Sequence, residues 1–504
     1  MSYKERLTHI DRGSQESVTS QIVGAFSDAI ESGELEPGEK LPPTRDLAEI
    51  AGVNHLTAAR AYRRLSDLGL VTGRVGSGTF VRTRSATAAE PSTRDARGTA
   101  WQLYALPDEI ETYGDRILAE MFRYAGSEEL IPLMVGHPSS DLFPVERIAE
   151  LAETVLRDDG ARALQYADIE GMPELREELA SLGRRRGTDD RPGEIVVTTG
   201  ADQAMTLATR AVLRPGDVAA CESPSFIGGI EAVRNTGARV LSVPMDKDGL
   251  DIDALEQLLR RHEIRLLVVQ PRLQNPTGRD LVPERRERLC ELARRHGFFI
   301  VEDAIYGDLR LEGDELPPLR AMAPEHVIYV DSFSKNVAPG MRLGWAAATG
   351  PVLDRIVREK RNDDMASGTL PQLIGARFLA EGSYDQHLPG AIEFHRERRD
   401  AVLAALGERL EGLATWERPL GGAHAWLELR DPLDERDLYA EAVRQGTTFL
   451  PGGAAMVERP RGTYMRVSFA YLRPDELREG VRRLAAAVRT VRGSTRPREA
   501  MPIT

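Results

Sequence analysis

The sequence predicts a multidomain chain, with a small helical block closed by a β-hairpin at the N-terminus and a large α/β body behind it. Three observations carry this. At 504 residues the chain is too long for a single core. Its opening segment moves from helical spacing of apolar residues to two short strands around a glycine-rich turn. Beyond a polar stretch, the remainder alternates apolar strand-like runs with helix-like segments, the pattern of a largely parallel sheet covered by helices.

In the first block Val18, Ile22, Phe26 and Ile30 recur at helical spacing, and Gly33 and Pro37-Gly38 end that helix. A second helix is expected from Thr44, after Pro42-Pro43, with Leu47, Ala48 and Ala51 on one face. Asn54 is the expected N-cap of a third helix, whose buried face would carry Ala58, Ala61, Tyr62, Leu65 and Gly69, while Arg60 and Arg63 point away. Leu70–Thr72 and Thr79–Val81 flank Gly73 to Gly78 and read as two strands with a glycine turn. Three helices and a hairpin make the layout of a winged helix-turn-helix.

The net charge of -13 means that the whole chain should repel nucleic acid, so any DNA contact must come from a local basic surface. Such a surface exists. Arg45, His55, Arg60, Arg63, Arg64, Arg74, Arg82 and Arg84 are opposed only by Asp46, Glu49 and Asp67. The segment from Gly33 to Ala48, the run Ala61-Tyr62-Arg63-Arg64-Leu65 and the wing Gly76-Ser77-Gly78-Thr79-Phe80-Val81 together resemble the GntR family of regulators. That resemblance implies that Arg45 grips phosphate at the start of the second helix, with the adjacent Thr44 also among the DNA-binding residues. It places Asn54, His55 and Thr57 near the major groove and Gly76 in the minor groove, with Arg60 also among the DNA-binding residues. Many family members carry arginine where this chain has His55.

The stretch from Thr83 to about Gly98 has no large apolar residue and no periodicity, which marks a solvated linker. The expected division is a DNA-binding block over 1–83, a linker over 84–115 and the large body over 116–504. Cys221 and Cys290 form no disulfide framework or metal-ligand spacing, and the histidines show none either, so no metal is expected. Polar, charged residues fill positions 1–10 and no long apolar run follows, so neither a signal peptide nor a membrane span is expected, and a cytoplasmic setting fits.

In the body, the strand Ile195–Thr199 runs into Gly200-Ala201-Asp202 and a helix over 204–213, a turn whose free amides would suit a phosphate. Phe298–Val301 ends in Glu302-Asp303, with Tyr306 three residues on. Val327–Val330 leads into Asp331-Ser332-Phe333-Ser334-Lys335, with Arg342 beyond. Ligands bind at strand carboxyl ends in open parallel sheets, and an acid, a phenol, hydroxyls, a lysine and an arginine there form one chemical set. Pyridoxal phosphate requires such groups: an amine for its aldehyde, a carboxylate for its ring nitrogen, donors for its ring oxygen, and amides with an arginine for its phosphate.

From about Leu130 onward the chain resembles a fold-type I, class I aminotransferase. The resemblance implies that Lys335 in Ser332-Phe333-Ser334-Lys335 binds pyridoxal phosphate, with Asp303 at the ring nitrogen. Asn275, in Asn275-Pro276-Thr277-Gly278, would reach the ring oxygen, and Tyr306 would join Asp303 as the family's tyrosine and aspartate pair at the cofactor. Gly200, Ala201, Asp202, Ser332, Ser334 and Arg342 would cradle the phosphate, Phe226 would stack on the ring, and Tyr166 would reach a neighbouring subunit's phosphate. Arg466, in Tyr464-Met465-Arg466-Val467-Ser468-Phe469, would clamp an effector's carboxylate together with Asn275.

A GntR-like head and an aminotransferase-like body in this order resemble the MocR (GabR-like) regulators. The resemblance implies a homodimer, arranged head-to-tail, that binds operator DNA and senses an amino acid or amine through aldimine exchange at Lys335. Much of that family lacks the asparagine of the Asn275 loop, so a second reading stays open: a cytosolic aminotransferase with a DNA-binding appendage, in which Lys335 is also the general base. A third is a DNA-binding scaffold with an empty pocket.

Overall fold

The structure, a computed structural model, describes residues 3–8, 10, 17–31, 34–35, 39–67, 70–74, 78–81, 113–124 and 129–495. The chain divides into two compact units, Met1–Glu109 and Ile110–Thr504. The linker expected over Thr83–Gly98, and Gly69 and Gly76, lie outside the described residues.

The first unit carries α1 (Tyr3–Thr8), α2 (Val18–Glu31), α3 (Thr44–Ile50), α4 (His55–Asp67) and the antiparallel pair β1 (Val71–Arg74) and β2 (Gly78–Val81). Phe26, Leu47, Ala58, Ala61, Tyr62 and Leu65 close one core against Val71 and Val81. Asn54 caps α4: its Oδ1 accepts from the Thr57 amide at 2.8 Å and the Thr57 hydroxyl at 3.0 Å. α1 had no counterpart in the sequence reading. Its two apolar side chains, Tyr3 and Leu7, are enough to seat it on the core although its other positions are polar. Arg45, Asn54, His55 and Arg60 are exposed, and Thr44 and Thr57 half-buried.

In the second unit β3 (Ile131–Pro132) opens the described chain after a helix over Tyr113–Tyr124. The large sheet is built from β4 (Ile195–Thr198), β5 (Val218–Ser223), β6 (Arg239–Asp246), β7 (Gly249–Leu250), β8 (Ile264–Val269), β9 (Phe299–Asp303), β10 (Val327–Ser332) and β11 (Gly344–Ala347). Their order is β4-β11-β10-β9-β8-β5-β6-β7. β11 is antiparallel to both its neighbours and β7 to β6, while the remaining pairings are parallel. Six strands therefore point the same way and deliver their carboxyl ends to one edge.

Both faces of this sheet are covered, which is why its strands read as continuous apolar runs. Ile195 and Val197 pack with Leu175 and Phe378 on one side, and Val196 with Ala204 and Leu207 on the other. The smaller antiparallel sheet contains β12 (Ala414–Trp416), β13 (His424–Leu429), β15 (Leu450–Pro451) and β16 (Tyr464–Ser468); β14 (Thr447–Thr448) pairs separately with β3. Helices over Ser383–Leu410 and Pro474–Thr495 bury Val402, Leu406, Leu477 and Leu484 with Leu427 and Val467 of that sheet.

Candidate functional site

The shared strand direction brings the expected residues together. Asp303 ends β9, Lys335 follows β10, Asn275 lies in the loop after β8, Phe226 follows β5 and Gly200 follows β4. The smaller sheet adds Arg466 from β16.

Lys335 is half-buried, and its Nζ donates to the Gly136 carbonyl at 3.1 Å. Burial pushes its ammonium down to about 8; nearby Arg466 acts the same way, while Asp202 and Asp303 oppose the shift. Asp303 is buried, which pushes its carboxyl up to about 7 despite the Ile305 amide that donates to Oδ1 at 3.1 Å and the attraction of Lys335. The loop before Lys335 is held from below. Asp331 takes an ion pair from Arg186 at 2.8 Å, Arg186 also pairs with Asp308, and Asn336 donates to the Tyr384 hydroxyl at 2.7 Å. Ser332 is buried and its Oγ accepts from the Ser334 amide at 3.2 Å.

Gly200 has φ 132° and ψ 171°, a region open to glycine alone, and caps the helix Ala201–Val212. A Cβ there would fall 2.8 Å from Arg342 Nη2, so the missing side chain leaves the guanidinium against a helix N-terminus. Arg342 itself is left-handed, at φ 49°. Gly200→Ala is expected to cost about 1–3 kcal/mol of backbone strain and to weaken cofactor uptake about tenfold or more, measured by fluorescence titration.

The Asn275 loop is anchored by a buried amide network. Glu222 Oε1 accepts from the Gln270 amide at 3.1 Å and Gln274 Nε2 at 2.9 Å, and Gln270 Oε1 accepts from the Asn275 amide at 2.7 Å. Burial pushes the Glu222 carboxyl up to about 8, so near neutrality it is largely the neutral acid. Asn275 Oδ1 accepts from Arg466 Nη1 at 3.2 Å, and Arg466 Nη2 donates to the Met134 carbonyl at 2.8 Å. Arg466 is buried, burial pushes its guanidinium down to about 10, and its Nε has no hydrogen-bond partner among the described residues.

Phe226 is half-buried at the start of the helix Ile227–Arg234 and lines a small cavity with Glu222, Gln270 and Asp303. Tyr166 stands apart from the cluster at 80% exposed. Sequence reasoning missed His424. This buried side chain lies beside Gly136, where a Cβ would fall 2.9 Å from its Cε1, and its Nε2 is 3.1 Å from the Tyr306 hydroxyl. Burial raises the Tyr306 hydroxyl well above its usual range. Among the described residues no group of acidic, histidine or cysteine side chains could hold a metal.

The donor set suits pyridoxal phosphate: an amine made more nucleophilic by burial, a buried carboxyl opposite it, and a glycine-lined cradle beneath an arginine. Comparison with known proteins agrees. Residues 128–484 match the aminotransferase class I and II family, and residues 18–81 match the bacterial regulatory proteins of the gntR family. Aromatic-amino-acid aminotransferase 1 of Thermococcus litoralis is 34% identical over 74% of this chain and 91% of its own length. The crystal structure of LysN, an α-aminoadipate aminotransferase from Thermus thermophilus complexed with N-(5'-phosphopyridoxyl)-L-leucine, superposes with a TM-score of 0.70. It is 34% identical and covers 75% of this chain and 95% of its own. The probable rhizopine catabolism regulatory protein MocR of Rhizobium meliloti is 26% identical over 95% of both chains, so it matches both units. Aminotransferases of class I and II use pyridoxal phosphate. The chain belongs to the aminotransferase class I and II family and carries a gntR-family helix-turn-helix domain at its N-terminus, an arrangement it shares with the MocR-type regulators.

Proposed function

We propose that this protein is a transcription regulator that binds operator DNA through its N-terminal unit and senses an amine with a carboxylate at the Lys335 site. The observation that carries the reading is that one chain joins a gntR-family helix-turn-helix to a strand-end site holding Lys335, Asp303, Asn275 and Arg466. Bound pyridoxal phosphate would supply an aldehyde for amines and a ring that draws off electrons. Lys335 would hold it and Asp303 would keep a proton at its ring nitrogen. Asn275 and Tyr306 would face its ring oxygen. Phe226 would cover the ring, and Arg342, Ser332, Ser334 and the Gly200–Asp202 turn would hold its phosphate.

Arg466, already braced by Asn275 and Met134, would clamp the effector's carboxylate. An effector that displaces Lys335 would change the balance of body conformations and hence the presentation of the DNA-reading heads. Tyr166, Leu164 (73%) and Met365 (61%) are large apolar side chains left exposed on the second unit, which supports a homodimer, the head-to-tail arrangement following from the resemblance. Both cysteines are free and buried, as suits a cytoplasmic protein, and no helix among the described residues is long and apolar enough to cross a membrane.

On DNA, the exposed Arg45 and Arg60 would contact phosphate while His55 and Thr57 approach base edges. Arg45→Ala and Arg60→Ala are each expected to weaken binding across sequences and to reduce the slope of log affinity against log salt by about 1. Gel-shift titrations at several salt concentrations would measure this. The reading as a whole is tested by screening amino acids and amines for a change in the cofactor spectrum while footprinting the DNA upstream of the gene. Steady turnover of an amino acid with an oxo acid, and no specific footprint, would favour a working aminotransferase instead. The intact Asn275 loop and the burial that lowers the Lys335 ammonium toward neutrality are what favour that second reading.

A further inference from the structure

Tyr306 has one hydroxyl proton and two groups that could take it: His424 Nε2 at 3.1 Å and, on the reading above, the ring oxygen of the cofactor. Which one receives it depends on where the imidazole carries its own proton. His424 is buried, and the groups facing it are Tyr306, Arg466, Lys335 and His395. Burial, then the two cations and His395, hold its pKa well below the usual value, so the ring is neutral with a single N–H. Burial also pushes His395 down to about 4, so that neighbour is neutral as well.

His424 Nδ1 is buried and has no hydrogen-bond partner among the described residues. A proton there would be a buried donor without an acceptor, which protein interiors rarely contain. The proton therefore belongs on Nε2, which then donates to the Tyr306 oxygen. The Tyr306 proton is left free to point away from the histidine. The ring is fixed in this pose by its edge-to-face packing on Tyr306, at 5.7 Å between centroids and 85°, and by Gly136, where any side chain would meet it.

We propose that His424 is a positioning residue: it makes the Tyr306 hydroxyl a one-way donor toward the cofactor's ring oxygen and so sets the pH at which the cofactor-loaded protein changes colour. The inference rests on the cofactor reading of the Lys335 site. A donor at the ring oxygen favours the state in which that oxygen bears unneutralised negative charge, which is the deprotonated state, and so lowers the midpoint.

The test is a pH titration of the visible spectrum of the cofactor-loaded full chain. Tyr306→Phe should raise the midpoint by about one to two units and His424→Phe by about half a unit or more. His424→Gln, whose amide nitrogen can stand where Nε2 stood, should restore the wild-type midpoint. His424→Asn, whose amide falls near Nδ1, should behave as the phenylalanine variant does, so the comparison survives if the phenylalanine variant fails to fold. The double variant His424→Phe/Tyr306→Phe should match Tyr306→Phe alone. A coloured His424→Phe protein with an unshifted midpoint, or additive shifts in the double variant, would overturn this role for His424 alone. A colourless wild-type protein that takes up no cofactor would overturn the cofactor reading, and this inference with it.

Discussion

Lys335→Ala protein is expected to fold and to stay colourless at every pH, releasing pyridoxal phosphate on gel filtration while wild type keeps it. The side chain is half-buried and its amine makes one hydrogen bond, to Gly136, so its loss should disturb the packing little. The stabilisation that bound cofactor gives the wild type, about 2.7 kcal/mol at a hundredfold excess over Kd, should shrink sharply. Lys335→Arg separates chemistry from charge. It keeps a cation near Asp202 and Asp303 but offers no amine that loses its proton near neutrality, so it should be colourless as well. The direction with pH also follows. An ammonium lowered to about 8 yields free amine as pH rises, so wild-type uptake should quicken about tenfold per unit below that value and level off above it. Stopped-flow absorbance would follow it. A coloured alanine variant would place the cofactor elsewhere.

The second large effect is expected at Arg466. Arg466→Met keeps most of the side chain's length and removes the guanidinium that faces Asn275 and the Met134 carbonyl. Losing one partner of a buried, hydrogen-bonded charge pair costs about 2–5 kcal/mol. The effector midpoint for amines bearing a carboxylate should therefore rise about 30-fold to several thousandfold. Amines of similar size without a carboxylate should change little. The difference between the two series, read by spectral titration, isolates the clamp from general damage to the site. Equal losses in both series would mean that Arg466 supports the loop rather than binds the ligand.

Asp303 and Lys335 were legible in the sequence because each follows an apolar run. Asp303 closes β9 and Lys335 follows β10, and polar groups at those positions stand out because the strands before them are buried on both faces. Asn54 was legible for a similar reason, since a cap must precede the first helical turn. His424 was not. It sits in β13, where a single histidine among alanines carries no periodic signal, and its partner Tyr306 lies 118 residues earlier in the chain. The Lys335 contact with Gly136 spans 199 residues and uses only a backbone carbonyl, which no side-chain pattern announces. Arg186 reads as an ordinary basic helix end, yet it braces the loop that precedes Lys335.

These parts meet in one claim, that occupancy of the Lys335 site changes how the protein holds DNA. The most direct measurement titrates a spectrally active amine into cofactor-loaded protein on DNA from upstream of its gene, following the visible spectrum and DNA affinity together. Both signals should move with one midpoint, and DNA should in turn shift the amine's affinity by the same factor, because coupling between two binding sites is reciprocal. DNA affinity that stays constant while the spectrum reports a saturated site would contradict the claim.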